Sequence, residues 1–408
     1  MKNVILFTID TLRKDVLGCY GSKNKLTPFI DSLQERCIKF TNMQATGPYT
    51  QASFPGILTS SYYLEDGREK KLSPKKTLIS EVLTKSGITT AAFHSNPYLC
   101  DFFGWNRGWD VFYDSMEAEV SREVPYIKGD EINKKVDEWL SSYIKGGEYR
   151  PFFLWLHYMD VHEPYVPEKK YVDMVDPSIN FSKEEMFNLF KNTLLKRDLS
   201  DKRKVELLKK LYFAHVREVD SYVEEFFNIL KKLDFLENSV IIMSSDHGDE
   251  FGEHGGLSHD GKMYSELINV PFLIFDYAKD RGEVSDALVS NIDISPTIVY
   301  LFGLEPEKNF KGYSVLPLKD RPERGCFGEA INKRSVHEKE TDRPIYYYQK
   351  KELKIIYREG IDSWEMYDLK KDPKELDNIV EASPRADEMK GILKPRVGRW
   401  LKGEQLKQ

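Results

Sequence analysis

The chain has 408 residues, 40% of them hydrophobic and 31% charged, the mix of a folded globular protein and not of a disordered one. That length accommodates one large α/β domain with a smaller one beside it. Against 66 Asp and Glu stand 60 Lys and Arg, a formal charge of −6, so no overall basic field draws in a nucleic-acid polymer and an anionic ligand has to be held by local features.

In chain order, the first apolar run is Val4–Ile9, which ends on Asp10. It faintly resembles a signal peptide, but it is short and no small-residue cleavage site follows it, so it reads as a buried strand. A helix is expected over Thr77–Lys85, then a strand over Thr89–Phe93 and another over Phe152–His157. Ser182–Lys210 is charged and helical, and reads as a surface insertion whose Lys and Glu face water. In Phe213–Lys232 the residues Val216, Val219, Val223, Phe226, Phe227 and Leu230 fall on one helical face. Strands are expected again over Ser239–Ser244 and Pro271–Phe275. Continuous apolar strands separated by helices argue for a mostly parallel sheet covered on both faces.

After Leu316 the texture changes. Asp320–Arg324 is polar and contains Pro322, which reads as a boundary. Short strand-like runs follow at Pro344–Tyr348 and Leu353–Tyr357, with a closing helix over about Ser383–Leu401 broken near Pro395. The expected division is a catalytic domain over 1–318 and a smaller α+β subdomain over 319–408. Cys19, Cys37, Cys100 and Cys326 are scattered without a C-x-x-C pair, which suits free thiols in a reducing compartment. No apolar run approaches the roughly 20 residues needed to cross a bilayer. The expectation is a cytoplasmic protein without a membrane span; homo-oligomerisation is left open.

Chemistry-bearing residues gather where strands end. Asp10 closes the first strand, and Asp246 and His247 close SVIIMSS. Ligands of open α/β sheets bind beyond the carboxyl ends of the strands, and two carboxylates with an imidazole suit a divalent cation, Zn²⁺ or Mn²⁺ ahead of Ca²⁺ or Mg²⁺. A lone aspartate in such a place more often caps a turn; the set together points to metal. Thr50 precedes an apparent helix start with Pro55 in its first turn, where the positive helix end favours an alkoxide and an anionic substrate. Taken by itself, a threonine there is more often a plain N-cap. His157, Asp160 and His162 follow the third strand, while His259 and Lys262 follow the Asp-His-Gly loop. Lone histidines are usually structural, and a lysine such as Lys262 is more often solvated than anion-binding.

These elements occur in the order found in sulfatases and, more broadly, in the alkaline phosphatase superfamily, which the chain resembles over most of its length. NVILFTIDTLRKDVLGCYG, LTPFIDSLQERCIKFTN, FFLWLHYMDVHEPYVP, SSDHGDEFGEHGG, YSELINVPFLI, SNIDISPTIVYLFGL and WEMYDLKKDPKELDNI are similar to successive blocks of that family, and Leu58-Thr59-Ser60 follows Thr50 at the spacing of its Leu-Thr-Gly. The resemblance implies an alkaline phosphatase-like α/β fold with a small C-terminal antiparallel sheet and helix. It implies Asp10, Thr50, Asp246 and His247 as metal ligands, Thr50 doubling as nucleophile. His162 and His259 would contact the transferred group or protonate the leaving oxygen, with Asn96, Asp160 and Lys262 binding substrate; Asp160 and the histidines fit a second metal less well.

Four departures matter. Sulfatases carry Cys or Ser, converted to formylglycine, where this chain has Thr50; Phe54 stands where an arginine is common; and Thr11 replaces a second acidic residue. The pocket Lys and His after the Thr-Ala-Ala strand give way to His94-Ser95-Asn96-Pro97. A threonine nucleophile resembles the phosphodiesterases of the superfamily, which places phosphate esters (phosphodiester, phosphomonoester or phosphonate) first. A sulfatase acting without formylglycine is the alternative, and an inactive binding protein the third. In each case the partner is a small anionic ester.

Overall fold

The structure is a computed structural model describing residues 2–68, 70–147, 150–279, 281–320, 323–333, 339 and 341–398. Among the described residues, fourteen strands follow in chain order: β1 Asn3–Ile9, β2 Cys37–Gln44, β3 Thr89–His94, β4 Val111–Tyr113, β5 Phe152–Tyr158, β6 Ser239–Ser245, β7 Glu250–Phe251, β8 Leu257–Ser258, β9 Asn269–Asp276, β10 Glu283–Ser290, β11 Cys326–Ile331, β12 Pro344–Lys350, β13 Leu353–Arg358 and β14 Ser363–Asp368. The α-helices are α1 Pro28–Ser32, α2 Thr50–Thr59, α3 Ile79–Lys85, α4 Gly129–Lys145, α5 Lys169–Val175, α6 Lys183–Thr193, α7 Lys202–Lys232, α8 Ser265–Ile268, α9 Ile294–Leu301 and α10 Ala386–Leu393.

Eight strands form one sheet in the order β10-β2-β9-β6-β1-β5-β3-β4. Its neighbours pair in parallel except along β9, which runs antiparallel to both β2 and β6. The expected mostly parallel sheet is therefore present, with Pro271–Phe275 inside the strand that runs against it. All seven residues of β1 are buried. Val4 and Leu6 face one core, shared with Phe54 and Trp155; Ile5, Phe7 and Ile9 face the other, shared with Leu154, Val223 and Phe226. A strand buried on both faces has no polar side to show, which is why β1, β5 and β6 read as unbroken apolar runs. Each fully buried large apolar side chain contributes about 1.5–3 kcal/mol.

The charged stretch after Ser182 is not one surface helix. Ser182 caps α6, its hydroxyl accepting from Glu185 N–H, and a turn around Arg197 leads to α7, capped by Asp201. The long α7 extends the expected Phe213–Lys232 helix by 11 residues at its start; its buried stripe begins at Leu208, so the charged first turns hid its apolar period.

The second sheet, β11-β12-β13-β14, is antiparallel throughout. It is sealed to the segment before α2: Tyr347 Oη donates to Ala45 O at 2.8 Å, Glu329 N to Thr46 O at 2.8 Å, and Ile331 N to Tyr49 Oη at 2.8 Å. Its apolar residues share one core with the large sheet. The closing helix is α10, followed by a tight turn at Lys394–Arg396 that contains Pro395; the expected continuation to Leu401 lies outside the described residues. The four cysteines are buried, and no disulfide joins them. Among the described residues, no helix is long and apolar enough to cross a membrane.

Candidate active site

Four neighbouring parallel strands deliver their carboxyl ends to one edge of the sheet, in the order β6, β1, β5, β3. Asp246 and His247 follow β6, Asp10 follows β1, His157 and His162 belong to the end and exit of β5, and Asn96 lies just past β3. The chain leaves β1 through Thr11 with φ 56°. A buried β-branched residue in the left-handed region is strained, and such strain persists only where its surroundings enforce it. Here Asp246 Oδ1 accepts from Thr11 N at 3.3 Å and Tyr212 Oη donates to Thr11 O at 2.9 Å.

Thr50 is the first residue of α2, and Tyr49 is its N-cap. Thr50 is thus not the cap that a local reading favours, and Pro55 lies in the second turn instead of the first. Ser53 Oγ donates to Asp246 O at 2.7 Å, tying the helix to the end of β6. Gly56 allows α2 to press onto Asn291: a Cβ there would sit 2.5 Å from Asn291 Oδ1.

Thr50 Oγ1 lies 3.5 Å from Asp10 Oδ2, 3.5 Å from His247 Nε2 and 3.5 Å from Asn96 Nδ2. Asn96 Nδ2 also donates to Asp10 Oδ2 at 2.8 Å, while Asn96 Oδ1 accepts from Tyr98 N at 2.9 Å, which fixes the amide's orientation. Asp10, Asp246 and His247 offer one ligand atom each within 4.8 Å of one another. Asp10 Oδ1 and Asp246 Oδ2 are buried with no hydrogen-bond partner, and unpaired buried carboxylate oxygens are costly unless a cation takes them. His247 Nδ1 donates to Gly248 O at 3.0 Å, leaving the Nε2 lone pair toward the same point. This donor set fits a divalent cation.

The electrostatics agree. Burial presses on Asp10, but the hydrogen bond to His157 and the charges of His162 and His247 hold its carboxyl below the usual range. Burial and the charge of Asp10 push Asp246 up. Two buried carboxylates facing each other cannot both ionise cheaply without a cation. Burial also lowers His247, to about 4, so its imidazole is neutral and able to ligate.

His162 and His259 stand beside this centre, ring centroids 4.9 Å apart, and the His259 ring is 4.7 Å from that of His247. Their environments differ. Burial would lower His162, yet Glu163 and Asp10 raise it. Burial, with His247 and His162 next, lowers His259 well below its usual value. His259 Nδ1 is held by Asp249 Oδ1 at 2.8 Å, and Asp249 in turn accepts from Tyr165 Oη at 2.5 Å. Asp249 and Glu163 escaped the sequence reading, although both sit one or two residues from a singled-out histidine. His157 backs the site by a 3.2 Å contact with Asp10 Oδ2, its other nitrogen held by Thr8 Oγ1 at 2.9 Å.

Two expected substrate contacts are not brought in. Lys262 Nζ is committed to Glu250 Oε2 at 2.7 Å and His254 O at 2.9 Å, away from the cavity that Thr50 lines. Asp160 is fully buried; its Oδ2 accepts from Gly129 N at 2.9 Å, and it does not line that cavity. Each is drawn away by a partner within the protein, although Asp160 Oδ1 is left buried without one. The cavity itself, about 160 Å³, is lined by Thr50, Asn96, His162, His259, Arg197 and Lys333 among others.

A sulfatase family model matches residues 2–304, and a model of the C-terminal part of N-sulphoglucosamine sulphohydrolase matches residues 252–400. The chain belongs to the sulfatase family. It is 25% identical to an arylsulfatase of Clostridium perfringens, over 96% of this chain and 93% of that one, and 23% identical to an N-acetylglucosamine-6-O-sulfatase of Bacteroides thetaiotaomicron, over 96% and 85%. Two solved structures share this sulfatase fold. One, in complex with its substrate D-glucosamine-2-N,6-O-disulfate, has a TM-score of 0.80 at 20% identity, covering 98% of each chain. The other, a phosphonate monoester hydrolase of Agrobacterium radiobacter, has a TM-score of 0.78 at 20% identity, covering 99% of this chain and 96% of that one. As a sulfatase-family protein the chain is a hydrolase acting on ester bonds. The expectation that put phosphate esters first gains no specific support, since the relatives are mainly sulfatases.

Proposed function

We propose that this sulfatase-family chain hydrolyses a sulfate monoester by transferring the sulfuryl group to Thr50 Oγ1 and then to water. The observation that carries the proposal is the position of Thr50 Oγ1, at the free N-terminal end of α2 and 3.5 Å from both Asp10 Oδ2 and His247 Nε2. Asp10, Asp246, His247 and Thr50 would hold a divalent cation, which supplies Lewis acidity that lowers the pKa of the hydroxyl and offsets charge on the transferred group. The Thr50 proton leaves to water. Oγ1 then forms a bond to sulfur as the bond to the alcohol oxygen breaks.

His162 and His259 divide the proton work, because neighbouring groups displace their pKa values in opposite directions. His162, raised by Glu163 and Asp10, gives a proton to the departing oxygen. His259, kept neutral and oriented by Asp249, takes a proton from the water that attacks sulfur. The S–Oγ1 bond breaks, hydrogen sulfate departs, and Thr50 recovers its proton from His259. Asn96 holds Thr50 and Asp10 in register throughout.

A phosphonate monoester or phosphodiester is the second reading, favoured by Thr50 itself: a threonine cannot become the aldehyde that sulfatases with Cys or Ser form. Rates on 4-nitrophenyl sulfate, 4-nitrophenyl phenylphosphonate and a bis(4-nitrophenyl) phosphodiester, with Mn²⁺, Zn²⁺, Ca²⁺ or Mg²⁺, test both. Sulfate is expected to give the highest kcat/KM, with activity lost in Thr50→Ala. A higher kcat/KM on the phosphonate installs the second reading; parental rates in Thr50→Ala end both. Absence of turnover together with absence of bound metal leaves an inactive binding protein.

A further inference from the structure

We infer that the ester's alcohol portion carries a second anionic group, seated by Arg197 and Lys333 at the mouth of the cavity. The inference rests on the Thr50-centred reading and adds the substrate class to it. Both cations line the same cavity as Thr50, His162 and His259, and neither comes from the large sheet. Arg197 sits in the turn between α6 and α7, and Lys333 follows β11 of the smaller sheet.

Both side chains are positioned. Arg197 has φ 52°, a left-handed conformation that non-glycine residues adopt at a cost and keep only where the fold demands it. Its N–H donates to Leu194 O at 3.0 Å, and the next residue, Asp198, accepts from Ser200 N at 3.0 Å, closing the turn. Its side chain is 31% exposed and pairs through Nη1 with Asp260. A guanidinium carries five N–H donors, and among the described residues no other acceptor holds the remaining ones. Lys333 is 9% exposed, its Nζ over the Tyr49 ring at 4.0 Å from the centroid, next in sequence to Thr50. The chain backbone ties it to the histidine loop, Gly261 N donating to Lys333 O at 3.1 Å.

Both face the reaction centre across the cavity that they line with His259. Neither is needed there for the transferred group, which has the metal set, Asn96 and His162. Of the two carboxylates that line the same cavity, Asp260 takes one Arg197 nitrogen and Glu163 is turned to Ser258 and His259, so the remaining guanidinium donors and Lys333 favour an anion that approaches with its own second charge. Arg197 presents planar donors suited to a carboxylate or a sulfate.

A matched pair of esters tests this: 3-carboxy-4-nitrophenyl sulfate and its neutral isostere, 3-carboxamido-4-nitrophenyl sulfate. The wild-type protein is expected to prefer the carboxylate ester in kcat/KM, through KM. Arg197→Gln and Lys333→Met are each expected to reduce that preference on the order of tenfold, the size of one charge-assisted hydrogen bond. A preference ratio unchanged in both variants, or none in the wild type, overturns the inference. An equal loss on both esters also overturns it, because the cations would then serve the transferred group. Calorimetric binding of the same pair to Thr50→Ala, with and without Arg197→Gln, separates this from the catalytic reading. Tighter binding of the carboxylate ester that Arg197→Gln abolishes upholds the inference even if the wild type turns over neither ester; equal binding of the two refutes it even if Thr50 is the nucleophile.

Discussion

Replacing Asp246 by Asn tests the metal centre most directly, because it removes one ligand charge and leaves the shape almost unchanged. In the metal-free protein, burial and Asp10 push the Asp246 carboxyl up, so it favours its protonated form. An asparagine side chain resembles that neutral form, and the metal-free variant should therefore be as stable as the metal-free parent or more so. For a carboxyl raised in the folded state, the stabilising contribution is complete below its unfolded pKa and is lost as pH rises through the folded one. The metal-free parent should accordingly weaken toward alkaline pH, and Asp246→Asn should flatten that fall. A cation that binds only the folded state adds about 2.7 kcal/mol at 100 Kd and about 4.1 kcal/mol at 1,000 Kd. For 408 residues, an unfolding entropy of about 2.1 cal/mol/K per residue gives roughly 0.9 kcal/mol/K. The expected rise in Tm is therefore roughly 3–5 °C for the parent. Thermal unfolding after EDTA treatment, then during titration with Mn²⁺, Zn²⁺, Ca²⁺ or Mg²⁺, reads it. If no cation shifts the parent, or if Asp246→Asn shifts as much as the parent does, the buried acid pair is not a metal site.

Other expectations follow from named contacts. Thr50→Ala should lose roughly 10³-fold or more in kcat yet keep the metal-dependent Tm rise, while Thr50→Ser stays within about tenfold; retention of activity by the alanine variant contradicts the nucleophile. Asn96→Ala removes the donor shared by Asp10 and Thr50, and steady-state kinetics should show kcat down roughly 10²-fold with a smaller change in KM. Phe54 is fully buried between Trp155 and Trp105, edge-on to His157; Phe54→Ala should cost about 3–5 kcal/mol in denaturant unfolding, and a loss under about 1 kcal/mol would contradict that packing. Glu218, on α7, is held down at about 2: burial opposes its charge, but the hydrogen bond from His215 and the charges of His215 and Lys128 outweigh it. Its stabilisation is complete above the unfolded value of 4.5 and lost as pH falls from there to about 2. That loss, about 3 kcal/mol, should vanish from the acid limb of a stability–pH curve in Glu218→Gln.

The parts of the site legible in the sequence were those announced by a strand. Asp10 and the Asp246–His247 pair stand at the ends of apolar runs, so their location at the carboxyl edge followed from β1 and β6 alone. Strands β2 and β10 went unread: β2 mixes Lys39, Thr41 and Asn42 into its run, and β10 is buried only toward its end. Both lie at or beside the sheet's edge, where one face need not be apolar. Arg197 could not be found because its neighbours Lys196, Asp198 and Ser200 look like any solvated turn; only the path of α6 into α7 carries it to the cavity. Lys262 erred the other way, a plausible cation by position whose charge Glu250 already takes.

The substitutions around Thr50 act together on where positive charge is kept. Phe54 puts an aromatic ring on α2 where an arginine is common in the resembling family, and the ring is buried in the core. His94 is fully buried, stacked on Trp155 at 5.1 Å, and burial keeps it neutral. Neither can face an anion. On the proposed reading, a tetrahedral anion entering this site would meet positive charge from three sources: a cation that the strand ends would hold, His162 raised by its acidic neighbours, and the rim formed by Arg197 and Lys333. The first two would lie at the reacting group, whereas Arg197 lies between α6 and α7 and Lys333 follows β11 of the smaller sheet. On that reading, selectivity for the alcohol portion would be set by residues outside the four strand ends that carry the proposed bond-breaking machinery.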